Sequence, residues 1–377
     1  EAYKEAAMQA TYELQNGRKG YQALLSHILN VSVTDLKKNY ENLNVSFELW
    51  KGESDAQPYI PAMVQKMKDD GFAYVSDGAL VVDVKEDTDT KEIPPCMILK
   101  SDGASLYNTT DLATIVWREE DYDPDEIIYV VDKRQELHFV QVFRCARKTG
   151  LVKPETELKF LGFGTMNGKD GKPFKTRDGG VMRLEYLVSE IDNEMLKKIT
   201  ENQKSKENLG ISEEEAKETA KTVALAAIKY GDLSNQASKD YIFDIDRFTS
   251  FEGNTGPYIL YTIVRIKSIL NKYHSMGKDE SGAVIEAAHS ASEKNLMLAL
   301  SGFGAMMENA YEETAPHKIC SYIYELANAF NSFYHETKIM SEEDETVQKS
   351  YIRLLELTKS VLETSINLLG FSAPERM

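Results

Sequence analysis

Two patterns of hydrophobic spacing alternate along the first half of the chain. Residues 1–75 carry apolar positions among acidic and basic ones at helical intervals, which predicts a helical start. A further helix is predicted at about residues 136–148. Short apolar runs bounded by turn residues predict four buried strands, at residues 79–84, 96–99, 127–131 and 158–163. Because strands that alternate with helices are typical of α/β proteins, we expect a parallel sheet with crossover connections.

The second half of the chain is predicted to be helical. Ser212 and Glu215 form a capping box at the start of one helix, and Gly231 is the predicted end of that helix. From Pro257 onward only helical periodicity is present, which predicts an all-helical bundle. The residues expected to face its core are Ile259, Ile263, Ile266 and Leu270 in one helix, and Val347, Tyr351, Leu354, Val361, Leu362 and Leu369 in the last, which Gly370 ends.

Composition narrows the class of protein. Apolar residues make up 42% and charged residues 28% of the 377 residues, which is ordinary for a globular chain of two or three domains. No apolar run is long enough to span a membrane. Three separated cysteines without a CxxC pair argue against a zinc site or a disulfide framework and favour a reducing cytoplasm. The net charge of −17 by itself argues against nucleic-acid binding.

Several segments together resemble a known family. Residues 250–265 (SFEGNTGPYILYTIVR) are similar to the segment that joins the catalytic and anticodon-binding domains of arginyl-tRNA synthetases. Matching segments occur in the family's order at residues 106–113 (LYNTTDLA), 135–143 (QELHFVQVF), 171–180 (GKPFKTRDGG) and 373–377 (APERM). The resemblance covers nearly the whole chain, and the motifs are specific as a set.

This resemblance implies a fold and a reaction. Residues 1–245 are expected to form the C-terminal portion of a Rossmann-like catalytic domain with a helical insertion and linker, and residues 246–377 an all-helical anticodon-binding domain. The family activates arginine with ATP to arginyl-adenylate and transfers it to tRNA-Arg in translation. Mg²⁺ is expected with ATP, and the sequence shows no dedicated metal-ligand cluster. The implied partners are arginine, ATP and tRNA-Arg in the cytoplasm, without a membrane, and we expect a monomer.

One signature of the class is missing. Class I synthetases carry a HIGH sequence in the first half of their nucleotide-binding fold, and no such sequence occurs among these residues. The first ten residues, EAYKEAAMQA, read like the middle of a helix. We therefore expect a fragment that cannot charge tRNA by itself. Two alternatives remain open: a non-catalytic tRNA-binding module derived from a synthetase, and an acidic interaction scaffold, which only the net charge favours.

The candidate arginine site follows predicted strands, the usual ligand position in open α/β sheets. Tyr107 and Asp111 are four residues apart and share one face of a helix start. A carboxylate beside a phenol can hold a planar guanidinium. The resemblance implies that Tyr107, Asp111 and Gln135 bind the substrate arginine. The alternative for Asp111 is an ordinary acidic residue near a helix N-terminus. Many family members have Arg where this chain has Thr110, which removes a local positive partner.

The resemblance also implies a nucleotide site, formed by His138, Gln141, Phe163, Gly164 and Met166. The alternative for His138 is a capping or hydrogen-bonding role, which is commoner for a histidine at a helix start. A glycine- and lysine-rich loop follows and could close over a triphosphate, although a solvated hairpin is the more frequent fate of such a loop. The catalytic residues implied within it, in place of the KMSKS signature, are Lys175, Thr176 and Arg177.

The anticodon site is expected in the helical bundle. Unstacked RNA bases are commonly held by aromatic rings and by the planes of arginine side chains. The resemblance implies such contacts from Tyr261, Arg265, Tyr334 and Met377. The alternative for any single aromatic residue here is packing in the bundle with its hydroxyl at the surface. Some family members have an aromatic residue where this chain has Lys338, which puts the details of base contact in doubt.

Overall fold

The chain forms two compact units in a computed structural model, which describes residues 2–172, 183–205 and 212–377. The first unit comprises Glu1–Lys38 and Ser46–Gly164, and the second Asn39–Val45 and Thr165–Met377. The predicted catalytic residues Lys175, Thr176 and Arg177 lie outside the described residues.

The first unit contains helices, an antiparallel sheet and a parallel pair of strands. Short 3-10 helices occur at Glu53–Tyr59 and Lys133–Gln135. The other elements are α1 (Ala2–Gln15), α2 (Lys19–Asn42, which runs into the second unit), α3 (Ile60–Asp69), β1 (Ala73–Ser76), β2 (Ala79–Val82), β3 (Cys96–Leu99), α4 (Tyr107–Tyr122), β4 (Glu126–Asp132), α5 (Glu136–Lys148) and β5 (Glu157–Phe163).

The direction of strand pairing corrects part of the sequence prediction. β4 and β5 are parallel, with Glu126 opposite Glu157, as a crossover through α5 requires. β1, β2 and β3 instead form an antiparallel sheet, so a parallel arrangement is wrong for residues 79–84 and 96–99. The physical reason is that an apolar run reports burial, whereas direction depends on the connection. β1 and β2 are joined by a tight turn in which Asp77 and Gly78 both have positive φ, 49° and 81°.

The core of the first unit lies between α3, α4, α5 and the strands. Ile98 of β3, Leu112 of α4 and Val142 of α5 are fully buried in one apolar cluster. The helix predicted at about residues 136–148 is confirmed by α5. This packing fixes the start of α4 beside β3, which positions the candidate arginine site.

The second unit is largely helical. It also contains a short 3-10 helix at Ile339–Ser341 and a parallel pairing of two-residue strands. Its elements are β6 (Met166–Asn167), α6 (Leu184–Ser205), α7 (Glu213–Leu233), β7 (Tyr241–Ile242), α8 (Ile245–Phe248), α9 (Gly256–Ser275), α10 (Ala291–Ser301), α11 (Phe303–Glu312), α12 (Pro316–Glu336) and α13 (Glu345–Leu368).

The helix signals of this unit are confirmed with one exception. Ser212 accepts a hydrogen bond from the backbone N–H of Glu215 at 3.2 Å and begins α7. The end predicted at Gly231 is wrong, because α7 continues to Leu233. The glycine lies against the ring of Phe248, where a Cβ would overlap that ring. Gly370, with φ of 82°, follows the end of α13 as predicted. The predicted core residues of α9 are buried, and those of α13 are buried or pack against the core.

The compact units divide the chain earlier than the sequence-based domain boundary. α6 and α7 share one apolar core with α9, so these helices belong to the second unit. The boundary after residue 245 stays a prediction. Cys96, Cys145 and Cys320 are buried free thiols. None of the helices in the described ranges combines the length and apolar character that a membrane crossing requires.

Candidate functional site

The first turn of α4 is held against β3 by Thr109. Its buried hydroxyl accepts a hydrogen bond from the backbone N–H of Leu106 at 3.0 Å and donates one to the carbonyl of Ile98 at 2.6 Å. Because the side chain satisfies one of the free N–H groups at the helix start, it also caps α4. The turn that carries Tyr107 and Asp111 is thereby fixed in place.

Tyr107 and Asp111 line the same cavity. It has a volume of about 340 Å³ and lies between α4, Tyr129 of β4 and the segment 51–56. The ring of Tyr107 is 62% exposed, and the Asp111 side chain is 31% exposed, so both can be reached by a ligand. The structure therefore brings together two of the three residues predicted to bind arginine.

Asp111 is held by His138. The Nε2 of His138 and the Oδ2 of Asp111 are 2.6 Å apart, and because a carboxylate only accepts, the imidazole N–H donates. The edge of the same imidazole packs against Tyr107, with ring centroids 4.8 Å apart. His138 thus contacts both candidate arginine ligands. Its predicted contact with the nucleotide stays a prediction.

Glu53 is a cavity residue that the sequence analysis missed. Its Oε1 accepts a hydrogen bond of 2.8 Å from the hydroxyl of Thr110, a residue on the first turn of α4. Thr110, noted as a departure from the family's usual Arg, therefore orients a second carboxylate beside Asp111. No local pattern signals this pairing, because the two residues are separated by 57 positions.

Aromatic rings and cations complete the wall of the cavity. Lys51 lies over the ring of Trp117 at 5.3 Å, and Arg118 lies over the ring of Tyr129 at 5.1 Å. Burial raises the pKa of Tyr129 to about 12, so its phenol is neutral. The hydroxyl is buried and has no hydrogen-bond partner among the residues that the structure describes.

The other predicted residues of this region lie elsewhere. Gln135 is exposed just before α5 and is not one of the described residues that line the cavity. The Nε2 of Gln141 donates to the carbonyl of Pro94 at 2.7 Å. Phe163 is exposed at the end of β5, Gly164 ends the first unit, and Met166 packs in the second. Their roles with arginine or nucleotide stay predictions.

In the second unit the structure brings Tyr261, Arg265 and Tyr334 together. The guanidinium carbon of Arg265 lies 4.8 Å from the ring centroid of Tyr261 and 5.1 Å from that of Tyr334. Its Nη1 donates a hydrogen bond of 2.9 Å to the Oδ1 of Asn331. Asn331 is a member of this cluster that the sequence analysis did not identify. The arrangement is a planar cation within cation–π distance of two aromatic rings.

The C-terminal tail is attached to the same helical core. Met377 packs against that core, and the carboxylate of Glu375 lies 2.7 Å from the Nζ of Lys267. Glu363 on α13 lies 3.2 Å from the same nitrogen. Although partial burial alone would lower the pKa of Lys267, its hydrogen bonds to Glu375 and Glu363 raise it overall. Lys267 therefore holds the tail as a cation.

A metal site is not evident in the part of the chain that the structure describes. Among those residues, no group of three or more His, Cys, Asp or Glu side chains could hold an ion. Three carboxylates line the cavity. Glu53 and Asp111 are engaged by a hydroxyl and an imidazole, and Asp55 accepts a hydrogen bond from the backbone N–H of Gly52.

Comparison with known proteins gives two family matches. Residues 1–245 match the model for the class I (R) tRNA synthetase catalytic domain, and residues 259–377 match the DALR anticodon binding domain. The whole chain is 74% identical to an arginine–tRNA ligase of Agathobacter rectalis, and covers 64% of that protein. It is 58% identical to the enzyme of Alkaliphilus oremlandii, and covers 63% of it. The chain thus spans less than two thirds of the length of these relatives.

Solved structures agree with this assignment. The arginyl-tRNA synthetase of Plasmodium falciparum superposes with a TM-score of 0.80 at 25% identity, over 99% of this chain and 62% of that one. The Thermus thermophilus arginyl-tRNA synthetase gives 0.79 at 21% identity, over 97% of this chain and 68% of that one, which supports the fold. With family models matching both parts of the sequence, the chain belongs to the class I arginyl-tRNA synthetases.

Proposed function

We propose that this chain is the arginine-binding and anticodon-binding part of an arginine–tRNA ligase. The full enzyme would join arginine to ATP as arginyl-adenylate and then transfer the arginyl group to the 3′ end of tRNA-Arg. Support comes from the relatives that match the whole chain and from the two sites described above.

The cavity of the first unit carries this proposal. A guanidinium has five N–H donors in a plane and no acceptor, so its binding site needs carboxylates and aromatic faces. Glu53 and Asp111 supply two carboxylates to one cavity, and Tyr107 supplies a ring beside them.

We also propose which nucleotide-binding fold the first unit belongs to and where ATP would bind. The parallel pair β4 and β5 with the crossover helix α5 would be the second half of a Rossmann-like nucleotide-binding fold. ATP would lie near His138, Gln141, Phe163, Gly164 and Met166, with Lys175, Thr176 and Arg177 at the leaving pyrophosphate. Mg²⁺ would arrive bound to the ATP phosphates, and we assign it no protein ligand.

In the proposed reaction the protein acts by positioning. The arginine carboxylate attacks the α-phosphorus of ATP, a new O–P bond forms, and pyrophosphate leaves with the electrons of the broken bond. Glu53, Tyr107 and Asp111 would hold the guanidinium end and thereby limit the motion of the carboxylate. Fixing reactants in this way lowers the entropic part of the barrier without a covalent enzyme intermediate.

Titration calorimetry with three ligands tests the cavity. Arginine should bind, and citrulline, in which a neutral urea replaces the guanidinium, should bind about ten- to a hundredfold more weakly, since hydrogen bonds to charged groups contribute about 1.5–3 kcal/mol. Lysine keeps a charge but lacks the planar fork, and should also bind weakly. Equal affinity for arginine and citrulline would remove the basis for guanidinium recognition.

The expectation of an incomplete enzyme needs a separate assay. Without a HIGH sequence, the isolated chain should not charge tRNA-Arg with labelled arginine. The full-length protein should do so and should release pyrophosphate. Charging by the isolated chain would contradict this part of the proposal.

A non-catalytic tRNA-binding module is the second candidate. The cluster of Tyr261, Arg265 and Tyr334 favours it, because that cluster requires no ATP chemistry. It predicts that the full-length protein binds tRNA-Arg but releases no pyrophosphate when arginine and ATP are added. Pyrophosphate release therefore separates the two candidates.

A further inference from the structure

A chain of hydrogen bonds leads away from Arg265 along the surface of the helical unit. Arg265 donates to the Oδ1 of Asn331, and the Nδ2 of Asn331 donates to the hydroxyl oxygen of Tyr258 at 2.8 Å. The Tyr258 hydroxyl in turn donates to the Oδ1 of Asn328 at 2.6 Å. The four side chains come from two helices, Tyr258 and Arg265 from α9 and the two asparagines from α12.

The direction of every bond in this chain is set by Arg265. A guanidinium can only donate, so the amide oxygen of Asn331 must face it and the amide nitrogen must face away. That nitrogen donates to Tyr258, whose single proton is then directed to Asn328. The oxygen of Asn328 therefore faces Tyr258, and its amide nitrogen is the end of the amide turned away from Tyr258. A side-chain amide that could otherwise turn over is held in one orientation.

The position of Asn328 suits contact with a nucleic-acid base. Asn328 is exposed. It lies three residues before Asn331, and Asn331 lies three before Tyr334, so Asn331 is the helix neighbour of both side chains on α12. A base stacked at the rings around Arg265 would therefore have its neighbour close to Asn328. Burial raises the pKa of Tyr258, which keeps its hydroxyl protonated as the relay requires.

We propose that Asn328 is a specificity-determining residue, which reads a hydrogen-bond acceptor on the edge of one RNA loop base because the Arg265–Asn331–Tyr258 chain holds its amide as a donor. This inference rests on the proposed tRNA binding and adds to it the residue and the kind of base edge that is read. Asn331 and Tyr258 are positioning residues, since they act through Asn328. An amide held in one orientation distinguishes acceptor from donor edges, whereas one free to turn over would accept either.

Binding of synthetic stem-loop RNA tests the proposal. The probe is a fluorescently labelled stem-loop with an arginine anticodon loop, together with versions in which each loop nucleotide is replaced in turn. For the wild-type chain, we expect one loop position at which a base with a donor edge binds about tenfold more weakly than a base with an acceptor edge. A tenfold change is about the usual contribution of one contact to a base edge. Fluorescence anisotropy gives the affinities, and thermal melting gives the stability of each variant.

Three variants separate base reading from folding. Asn328→Asp replaces the donor by an acceptor of the same shape and should reverse the preference at that one position. Tyr258→Phe removes the relay but keeps the ring, so discrimination at that position should fall about tenfold while the melting temperature stays close to wild type. The control is Asn295→Ala, an exposed asparagine on α10, which should bind every loop as wild type does.

The outcomes distinguish this inference from the function on which it rests. If wild type discriminates among loops and both Asn328→Asp and Tyr258→Phe discriminate equally well, Asn328 does not read a base. A uniform loss of affinity over all loops with Asn328→Asp would mean repulsion from the RNA backbone and would also overturn base reading. If wild type binds the stem-loop no better than an unstructured RNA of the same length, the proposed tRNA binding itself fails.

Discussion

The two candidate sites use charge in opposite ways. In the first unit, Glu53 and Asp111 line a cavity and are paired with a hydroxyl and an imidazole, so a cationic ligand can still improve their pairing. In the second unit, the Arg265 guanidinium already lies over two aromatic rings and donates to an amide oxygen. The carboxylates of the first site can therefore gain a partner from a ligand. The cation of the second site already has its contacts within the protein.

This difference bears on how far the net charge predicts the proposed partners. A protein with a charge of −17 would be expected to repel RNA. Yet a flat aromatic surface around a single fixed cation can hold a base by stacking, which depends on shape and little on total charge. An acidic protein can therefore carry a local RNA site, whereas a guanidinium site gains from the same acidic character.

The largest effect is expected for a substitution that destabilises the second unit and leaves the first unit intact. Gly256 begins α9, and a Cβ there would overlap the carbonyl of Ala226 on α7. Gly256→Ala should therefore destabilise the second unit by about 3 kcal/mol, because neither backbone can move away without disturbing the core. Calorimetric melting should show an earlier transition of that unit, and arginine binding by the first unit should persist.

The matched control is Gly304→Ala. Gly304 lies in α11 with open space around the position of a Cβ, and alanine is favoured over glycine within a helix by about 0.5–1 kcal/mol. This variant should be as stable as wild type or slightly more stable. If Gly256→Ala abolishes arginine binding as well, the two sites do not depend on separate units.

The second prediction removes a carboxylate from the cavity. Asp111→Ala should weaken arginine binding about ten- to a hundredfold, because a charge-assisted hydrogen bond contributes about 1.5–3 kcal/mol. Affinity for the anticodon stem-loop should not change. The measurement is titration calorimetry with arginine on both proteins. Glu120→Gln, an exposed change on the same helix, serves as the control. Equal losses for arginine and RNA would indicate a folding role for Asp111.

Sequence reasoning succeeded where the relevant residues are neighbours on one element. Tyr107 and Asp111 share a helix face, as do Tyr261 and Arg265, because helical spacing places residues four apart together. It missed Glu53, since only the tertiary fold brings this residue to Thr110 on α4. It missed Asn331 for a similar reason, because the bond to Arg265 joins two helices.

The strands show a second limit of the sequence. Residues 79–84 and 96–99 are buried as their apolar runs predict, but nothing in those runs encodes antiparallel pairing. A signal was present at Asp77 and Gly78, since an Asp-Gly pair between apolar segments is typical of a two-residue hairpin. Reading that turn would have identified both β1 and the direction of the first sheet.

The third prediction tests shape against charge in the aromatic cluster. Arg265→Lys keeps the charge but loses the plane that lies against Tyr261 and Tyr334. RNA affinity should fall about tenfold, within the range of about 1–3 kcal/mol for one stacked base. The dependence of affinity on salt concentration should stay the same, because the number of charges is unchanged. Arg353→Lys on α13 is the control and should have no effect on RNA binding.

The smallest effect concerns the C-terminal tail, which packs on the helical core and ends at the candidate anticodon residue Met377. Glu375→Gln removes one of the two carboxylates on Lys267, and RNA affinity should fall about twofold, since exposed ion pairs contribute about 0.2–1 kcal/mol. Raising the salt concentration should shrink the difference from wild type. Glu363→Gln removes the other carboxylate of the same lysine but leaves the tail attached, so it should bind RNA as wild type does. If both variants weaken RNA binding equally, the charge of Lys267 matters and the position of the tail does not.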